Sequence, residues 1–192
     1  SVSQWEKSLH AGKITAMDLS KAKAELRKKV LDARPGNSGG LSQQLVQLVQ
    51  AFEPTTLASY IPLANEPDVG EFNRQADKDL NLVFPRIVGD SLEFASGNLV
   101  SSALGLMEPA GDAIANEKID LILVPALAVD RSGNRLGKGK GFYDRFLAES
   151  NHPRLIAVVF DDEVFDSIPT EPFDKPVDGV VTPSGWWLVQ SR

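Results

Sequence analysis

Two segments near the start of the chain carry apolar residues at helical spacing. The first begins near Asp18 and ends before Pro35, and the second follows a loop that ends at Gly40. Apolar residues spaced in this way fall on one face of a helix, so both segments are predicted to be helices that pack on a core. The apolar positions are Leu19, Ala22, Leu26 and Val30 in the first segment and Leu41, Leu45, Leu48, Val49 and Phe52 in the second.

Almost continuous apolar runs farther along the chain predict buried strands. The run at 119–124 is the clearest, and a short helix predicted over 142–148 separates it from a run at 155–160. A strand, a helix and a second strand in this order predict a right-handed βαβ unit, and ligands bind at the carboxyl ends of the strands in such sheets. Further strands are predicted at 57–61, 80–84 and 177–182, and a polar helix at 72–79.

Other parts of the chain have weaker patterns. Residues 1–17 are predicted to be an N-terminal extension that packs loosely or forms a short helix. Pro85 is expected to stop the strand before it, because proline lacks the N–H that a strand ladder uses. Leu92 and Phe94 indicate a hairpin strand within an otherwise irregular stretch, and 105–109 is predicted to be a loop.

The composition is that of an ordinary folded protein. Of the 192 residues, 42% are hydrophobic and 24% are charged, which predicts a single domain over residues 1–192. The net charge of −6 argues against nucleic acid and anionic membranes as partners. Because the chain has no cysteine, a metal would bind oxygen ligands or one of two histidines, and Mg²⁺ fits best. No apolar run has the length of a signal or transmembrane segment, so the cytoplasm is the expected location.

A loop of alternating glycine and lysine, Gly137–Gly141, lies after the strand at 119–124, and we call it the glycine–lysine loop. Glycines let the backbone approach a ligand, so successive N–H groups can converge on phosphate oxygens while Arg135 and the lysines supply positive charge. Asp144 follows the loop and could bind a metal. The alternative is a flexible, solvated basic loop. The long irregular connection that contains the loop favours a function.

Three residues elsewhere could join such a site. Lys23 and Arg27 are four residues apart on the first predicted helix, so they could reach a common anion or could form an exposed basic face. Glu66 could bind polar groups of a ligand, or it could be solvated like most glutamates in loops.

The histidines do not suggest a nucleophilic triad. His10 and His152 lie in polar segments with no serine or acid that frames them, which favours surface positions. The basic residues together with Asp144 and Asp178 suit nucleotide phosphates and Mg²⁺. The inferred chemistry is phosphoryl transfer.

These residues resemble the 5-formyltetrahydrofolate cyclo-ligase family, also called methenyltetrahydrofolate synthetase. The most specific match is the block 124–144, which contains the glycine–lysine loop and the Phe-Tyr-Asp after it. The resemblance covers roughly 21–185, and its supporting motifs occur in the family's order. They are Lys23 with Leu26-Arg27, Glu66 after Tyr60-Ile61-Pro62, Phe84-Pro85-Arg86, Leu106-Met107-Glu108-Pro109, the segment 169–174, Asp178, and Thr182-Pro183.

The resemblance implies an α/β fold. The expected architecture is a three-layer α/β/α sandwich of the Rossmann-like type, with a mostly parallel sheet, as in sugar-phosphate isomerases and CoA transferases. The resemblance also implies an ATP- and Mg²⁺-dependent cyclisation of 5-formyltetrahydrofolate to 5,10-methenyltetrahydrofolate. In the family mechanism the γ-phosphoryl group passes to the formyl oxygen, and the neighbouring folate nitrogen then attacks to close the ring. The implied partners are ATP and the reduced formyl folate, with the protein a monomer or a homodimer.

The resemblance further implies roles for individual residues. Lys140, Arg135 and Tyr143 would be catalytic, with Lys140 as the main electrostatic catalyst, and Asp144 and Asp178 would be associated with Mg²⁺. The implied ATP contacts are Lys23, Arg27, Arg135, Gly137, Lys138, Gly139, Lys140, Gly141 and Tyr143, and the implied folate contacts are Ile61, Glu66, Lys138, Gly139, Lys140 and Phe142.

Three residues depart from the family pattern. Phe142 stands where tyrosine is frequent, Phe173 where histidine is common, and Leu104 where some members carry tryptophan. These departures motivate a non-catalytic folate- or nucleotide-binding protein as one alternative. The loop alone motivates a second alternative, a phosphate-binding regulator or an ATP-dependent ligase that acts on another formamide-like substrate.

Overall fold

The computed structural model describes residues 16–35, 38–76, 80–102, 105–148 and 153–190. Most of the predicted N-terminal extension lies outside these residues, as do His10, His152 and Leu104.

The described residues form helices and strands in alternation. The helices are α1 (Ala16–Ala33), α2 (Leu41–Phe52), α3 (Gly70–Ala76) and α4 (Phe142–Ala148), with 3₁₀ turns at Asn116–Lys118 and Asp161–Glu163. The strands are β1 (Thr56–Ala58), β2 (Asn81–Val88), β3 (Ser91–Ala95), β4 (Leu99–Ser101), β5 (Met107–Pro109), β6 (Leu121–Pro125), β7 (Ala128–Asp130), β8 (Arg135–Leu136), β9 (Arg154–Val158), β10 (Val164–Phe165), β11 (Gly179–Thr182) and β12 (Gly185–Leu188).

A mostly parallel sheet lies at the centre of the described chain. Its strand order is β12-β11-β9-β6-β1-β2-β3. The five inner strands pair in parallel, whereas the edge strands β12 and β3 each form an antiparallel hairpin with the strand before them. The predicted parallel sheet and the β6-α4-β9 unit are therefore confirmed.

Alternate residues of the central strands face two separate apolar layers. In β6, Leu121 and Leu123 face the layer that contains α2, whereas Ile122 and Val124 face the layer that contains α4. Side chains alternate between the two faces of a strand, so a strand covered on both faces is apolar at every position. This arrangement is the predicted α/β/α sandwich.

Helix α1 packs outside the central sheet. Its apolar face, which includes Leu26 and Val30, contacts the short sheet β10-β7-β8 and Ile168. The packing holds α1 against the connection that carries the glycine–lysine loop. Among the described residues, no helix has the length and apolar composition needed to cross a membrane.

The structure corrects several predicted boundaries. Strand β2 does not stop at Pro85 but continues to Val88, because its pairing with β1 ends at Val83 and Pro85 pairs only with the edge strand β3. The predicted loop at 105–109 contains β5. Further features were not predicted: the β7-β8 hairpin before the glycine–lysine loop, and the strands β4, β10 and β12.

Candidate active site

The glycine–lysine loop connects β8 to α4. Gly139 and Gly141 have φ angles of 95° and 67°. These values lie in the left-handed region that glycine adopts without strain, so the loop needs glycine at both positions. The Lys138 and Lys140 side chains are exposed to solvent.

Arg27 supports this loop from α1. Its Nε donates a hydrogen bond of 2.9 Å to the carbonyl oxygen of Gly137. A Cβ built on Gly139 would lie 3.5 Å from the Arg27 Cζ, so the guanidinium also packs closely on the second glycine. The structure therefore brings Arg27 and the loop together.

Glu66 reaches the loop from the connection that follows β1. Its Oε1 lies 2.6 Å from the Nζ of Lys138, and the Glu66 side chain is 7% exposed. The other carboxylate oxygen, Oε2, accepts a hydrogen bond of 2.9 Å from the amide of Leu63. A buried carboxylate held by these two contacts has a fixed orientation. The predicted folate carboxylate and a predicted phosphate-binding lysine thus meet in the described structure.

Three polar residues flank the glycine–lysine loop in the sequence: Arg135 before it, and Tyr143 and Asp144 after it. The Arg135 guanidinium donates hydrogen bonds to the carboxylate of Asp144 and to the carbonyl oxygen of Lys175, and its side chain is buried. Burial raises the pKa of Tyr143, the Glu66 carboxylate raises it further, and Arg135 opposes the rise. Tyr143 therefore remains a protonated hydrogen-bond donor at neutral pH.

Next to Glu66 lies a cleft of about 460 Å³. Its wall comes from the connections after β1 and β9, from the segment between α1 and α2, and from the first turns of α2 and α3. The lining residues are Pro35, Ser38, Gly39, Ser42, Pro62, Leu63, Ala64, Glu66, Asp68, Glu71 and Phe160. Of the predicted site residues, only Glu66 lines the cleft. Sequence reasoning missed the polar side chains of Ser38, Ser42 and Asp68, for which only the Ser-Gly-Gly turn before α2 gave a signal.

Lys23 has partners that the sequence did not predict. Its Nζ lies 2.5 Å from Glu171 Oε2 and 2.7 Å from Asp174 Oδ2, and its side chain is 7% exposed. The ammonium group also lies 5.7 Å from the ring centroid of Phe173. Lys23 is therefore not part of an exposed basic face; it attaches α1 to the segment 169–176.

The carboxylates predicted to bind Mg²⁺ have different surroundings. Asp178 precedes β11 at the amino edge of the sheet, where its Oδ2 accepts a hydrogen bond of 2.8 Å from the Leu155 amide. This contact gives Asp178 a structural partner and does not support a metal site shared with Asp144. Asp144 is partly exposed beside Arg135. The described residues contain no cluster of three or more acidic or histidine side chains that could hold a metal ion. Mg²⁺ is commonly held by one or two carboxylates together with substrate phosphates, so Asp144 fits it only in that mode.

Comparisons with known proteins agree on one family. The family model described as "5-formyltetrahydrofolate cyclo-ligase family" matches residues 12–183. A protein of Mycolicibacterium smegmatis named 5-formyltetrahydrofolate cyclo-ligase is 39% identical over 142 residues, which cover 67% of this chain and 73% of that protein. The NMR structure of Aquifex aeolicus 5,10-methenyltetrahydrofolate synthetase superposes with a TM-score of 0.76 at 30% identity and covers 88% of this chain and 94% of that chain. A synthetase structure from Mycoplasma pneumoniae has a TM-score of 0.65 at 25% identity, with coverage of 83% and 97%.

Proposed function

Because the chain belongs to the 5-formyltetrahydrofolate cyclo-ligase family, we propose that it converts 5-formyltetrahydrofolate to 5,10-methenyltetrahydrofolate with ATP and releases ADP and phosphate. The observation that supports the proposal most strongly is the ion pair between Glu66 and Lys138. This contact joins the connection after β1 to the glycine–lysine loop, and both belong to the motifs by which the chain resembles the family. The formyl folate is a small molecule, which suits the cleft that Glu66 lines.

The chemistry requires an activated formyl group. The formyl oxygen is bonded to carbon in an amide-like group and is a poor leaving group. In the proposed step this oxygen attacks the γ-phosphorus of ATP, the bond to the β-phosphate oxygen breaks, and ADP leaves. The neighbouring folate nitrogen then attacks the formyl carbon and the ring closes. That nitrogen loses its proton to the departing phosphate or to water, and the formyl oxygen leaves with the phosphoryl group as phosphate.

The residues of the glycine–lysine loop would stabilise the negative charge of the transferring group. Backbone N–H groups and lysines placed where charge develops lower the barrier, because they are already oriented before the reaction. Lys140 is the proposed main electrostatic catalyst, and its exposure leaves it accessible to phosphate. Arg27 and Arg135 would hold the loop and the helix after it through the hydrogen bonds they make to Gly137 and Asp144.

Glu66 would orient the folate. A carboxylate with a fixed position accepts hydrogen bonds from the N–H groups of a pterin ring, with Ile61 as apolar wall. Tyr143, held in its protonated form, can donate a hydrogen bond to an oxygen of either ligand. Asp144 would hold Mg²⁺, and the ion would supply positive charge to the ATP phosphates. The oligomeric state, a monomer or a homodimer, and the cytoplasmic location stay predictions from the sequence.

The experiment combines the protein, Mg²⁺, ATP and 5-formyltetrahydrofolate. We expect the absorbance of the methenyl product to rise, with one ADP released for each methenyl group formed, and no change when ATP or the protein is omitted. Folate binding measured by calorimetry without turnover would instead support a non-catalytic binding protein. Release of ADP with other formyl compounds but not with 5-formyltetrahydrofolate would identify a different ligase.

A further inference from the structure

Arg34 is a buried arginine that the proposed mechanism does not use. It follows the last residue of α1, and its side chain is 3% exposed. Its guanidinium lies 5.6 Å from the ring centroid of Phe160, a residue of the cleft wall. A fully charged side chain is rarely buried unless each of its donors has a partner.

The partners of Arg34 come from three connections. One amino group donates a hydrogen bond of 2.7 Å to the carbonyl oxygen of Asn65, and the other donates one of 2.6 Å to the carbonyl oxygen of Ala126. The Nε and the second amino group donate to the two carboxylate oxygens of Glu163 at 2.6 Å and 3.2 Å. Asn65 lies after β1, Ala126 after β6 and Glu163 after β9, and these strands are neighbours in the sheet. Arg34 therefore links the three connections that follow the carboxyl ends of these adjacent parallel strands.

Glu163 completes the arrangement. Its side chain is 4% exposed, and its Oε2 also accepts a hydrogen bond of 3.0 Å from the amide of Phe160. The planar guanidinium fork matches a carboxylate with two parallel hydrogen bonds while a further N–H remains for a carbonyl group. A lysine at this position would keep the charge but could not span three connections in one plane.

The residue after Asn65 is Glu66, which meets Lys138 and lines the cleft. We propose that Arg34 is a positioning residue for the formyl folate: by holding the Asn65 carbonyl and the Phe160 ring, it fixes Glu66 and the cleft wall for the pterin. The inference rests on the proposed function. It assigns to Arg34 an effect on folate binding that a residue required only for folding would not have.

The test compares Arg34→Lys with Arg131→Lys. Arg131 is the matched control, because it is 78% exposed and pairs on the surface with Asp166 at 3.4 Å. Arg34→Lys loses charged hydrogen bonds, including the one that holds Asn65 next to Glu66. We expect this variant to raise the KM for 5-formyltetrahydrofolate about tenfold or more and to change the KM for ATP less than about twofold. Arg131→Lys should leave both values unchanged. An equal rise in both KM values, or an unchanged folate KM in a folded Arg34→Lys protein, would overturn the proposal.

Glu163→Gln provides a second variant that retains the shape of the site. The amide keeps one acceptor for Arg34 but removes the charge, so a smaller rise of the folate KM is expected, again without an effect on the ATP KM. If Arg34→Lys does not fold, an unchanged folate KM in Glu163→Gln refutes the positioning role.

A third measurement does not depend on activity. The Leu63 amide donates its hydrogen bond to Glu66, so amide hydrogen exchange at Leu63 reports the position of that carboxylate. We expect faster exchange at Leu63 in Glu163→Gln and in folded Arg34→Lys than in Arg131→Lys. Unchanged exchange at Leu63 would contradict the role of Arg34, even if the wild-type protein has no turnover. If exchange at Leu63 changes as expected but the wild-type protein has no turnover, only the proposed function is contradicted.

Discussion

Lys140 is the residue on which the proposed chemistry depends most directly. Its side chain is exposed in the glycine–lysine loop, so few packing contacts are lost when it is truncated. Lys140→Ala is expected to lower kcat/KM by about 100-fold or more, because it removes a charge that acts on the transferring group. The free energy of unfolding should change by less than about 0.5 kcal/mol. Steady-state kinetics and urea denaturation measure the two effects.

A matched control for Lys140 lies on α1. Lys28 is also exposed and pairs with Asp32 one helical turn away, a contact that contributes little to stability. Lys28→Ala should therefore leave both kinetics and stability nearly unchanged. If Lys140→Ala lowered stability as strongly as activity, its role would be structural.

The two tyrosines of the chain, Tyr60 and Tyr143, provide a pH-dependent prediction. Burial and the nearby Glu66 carboxylate raise both pKa values above the ordinary value of 10.0. The folded protein holds the phenolic protons more tightly than the unfolded chain, so this contribution to stability is complete below pH 10.0 and is lost as the pH rises through the folded pKa values.

Near-ultraviolet absorbance of tyrosinate measures this effect. We expect no tyrosinate near pH 10 in the native protein and its appearance only together with loss of circular dichroism at higher pH. In concentrated urea both tyrosines should ionise near their ordinary pKa. Ionisation near pH 10 in protein that is still folded would show that the phenols are accessible to solvent.

Lys23 determines how α1 is attached to the rest of the chain. Its ammonium group bonds Glu171 and Asp174, so it connects α1 to the segment 169–176. Lys23→Met leaves two partly buried carboxylates without this partner, and we expect it to lower the free energy of unfolding by about 1–3 kcal/mol. Lys21→Met, on the exposed face of the same helix, is the control.

Urea denaturation and the KM for ATP together distinguish two roles of Lys23. A loss of stability in Lys23→Met but not in Lys21→Met supports the attachment seen in the structure. If Lys23→Met instead kept full stability and raised the KM for ATP, Lys23 would act as the direct ATP contact that the family resemblance implied.

Elements with a strong local pattern were predicted well. Helix α2 spans the predicted apolar positions from Leu41 to Phe52, and α4 spans the predicted 142–148. Short edge elements were missed, because β5 and β12 have three and four residues and owe their conformation to antiparallel partners. A pattern in so few residues does not distinguish a strand from a loop.

The family and the fold predicted from the motifs are confirmed. Glu66, Arg27 and the glycine–lysine loop each lie in a distinctive motif, and the structure places the first two against the loop, whereas their roles stay predictions. The sequence could not predict the partners of Lys23, which lie about 150 residues away along the chain, or the hydrogen bonds of Arg34. Such contacts depend on the tertiary fold and leave no local pattern.

The pairing of Glu66 with Lys138 leads to a prediction about both ligands. In the structure the Glu66 Oε1 and the Lys138 Nζ lie 2.6 Å apart. The proposed function assigns Glu66 to the folate and Lys138 to phosphate and folate, so this contact must open for turnover. The ligand that binds first opens it, and the second ligand then binds without that cost. Because coupling between two ligands is reciprocal, each should increase the affinity of the other by the same factor.

Calorimetry with a non-hydrolysable ATP analogue tests this coupling. A partly exposed ion pair contributes up to about 1 kcal/mol, so 5-formyltetrahydrofolate should lower the Kd of the analogue by a factor of about five, and the analogue should lower the folate Kd equally. Lys138→Met removes the pair, so each ligand should then bind with the same affinity whether or not the other is present. Equal affinities in the wild-type protein with and without the second ligand would show that the Glu66–Lys138 contact does not oppose binding, because both ligands would then bind around a pair that stays closed.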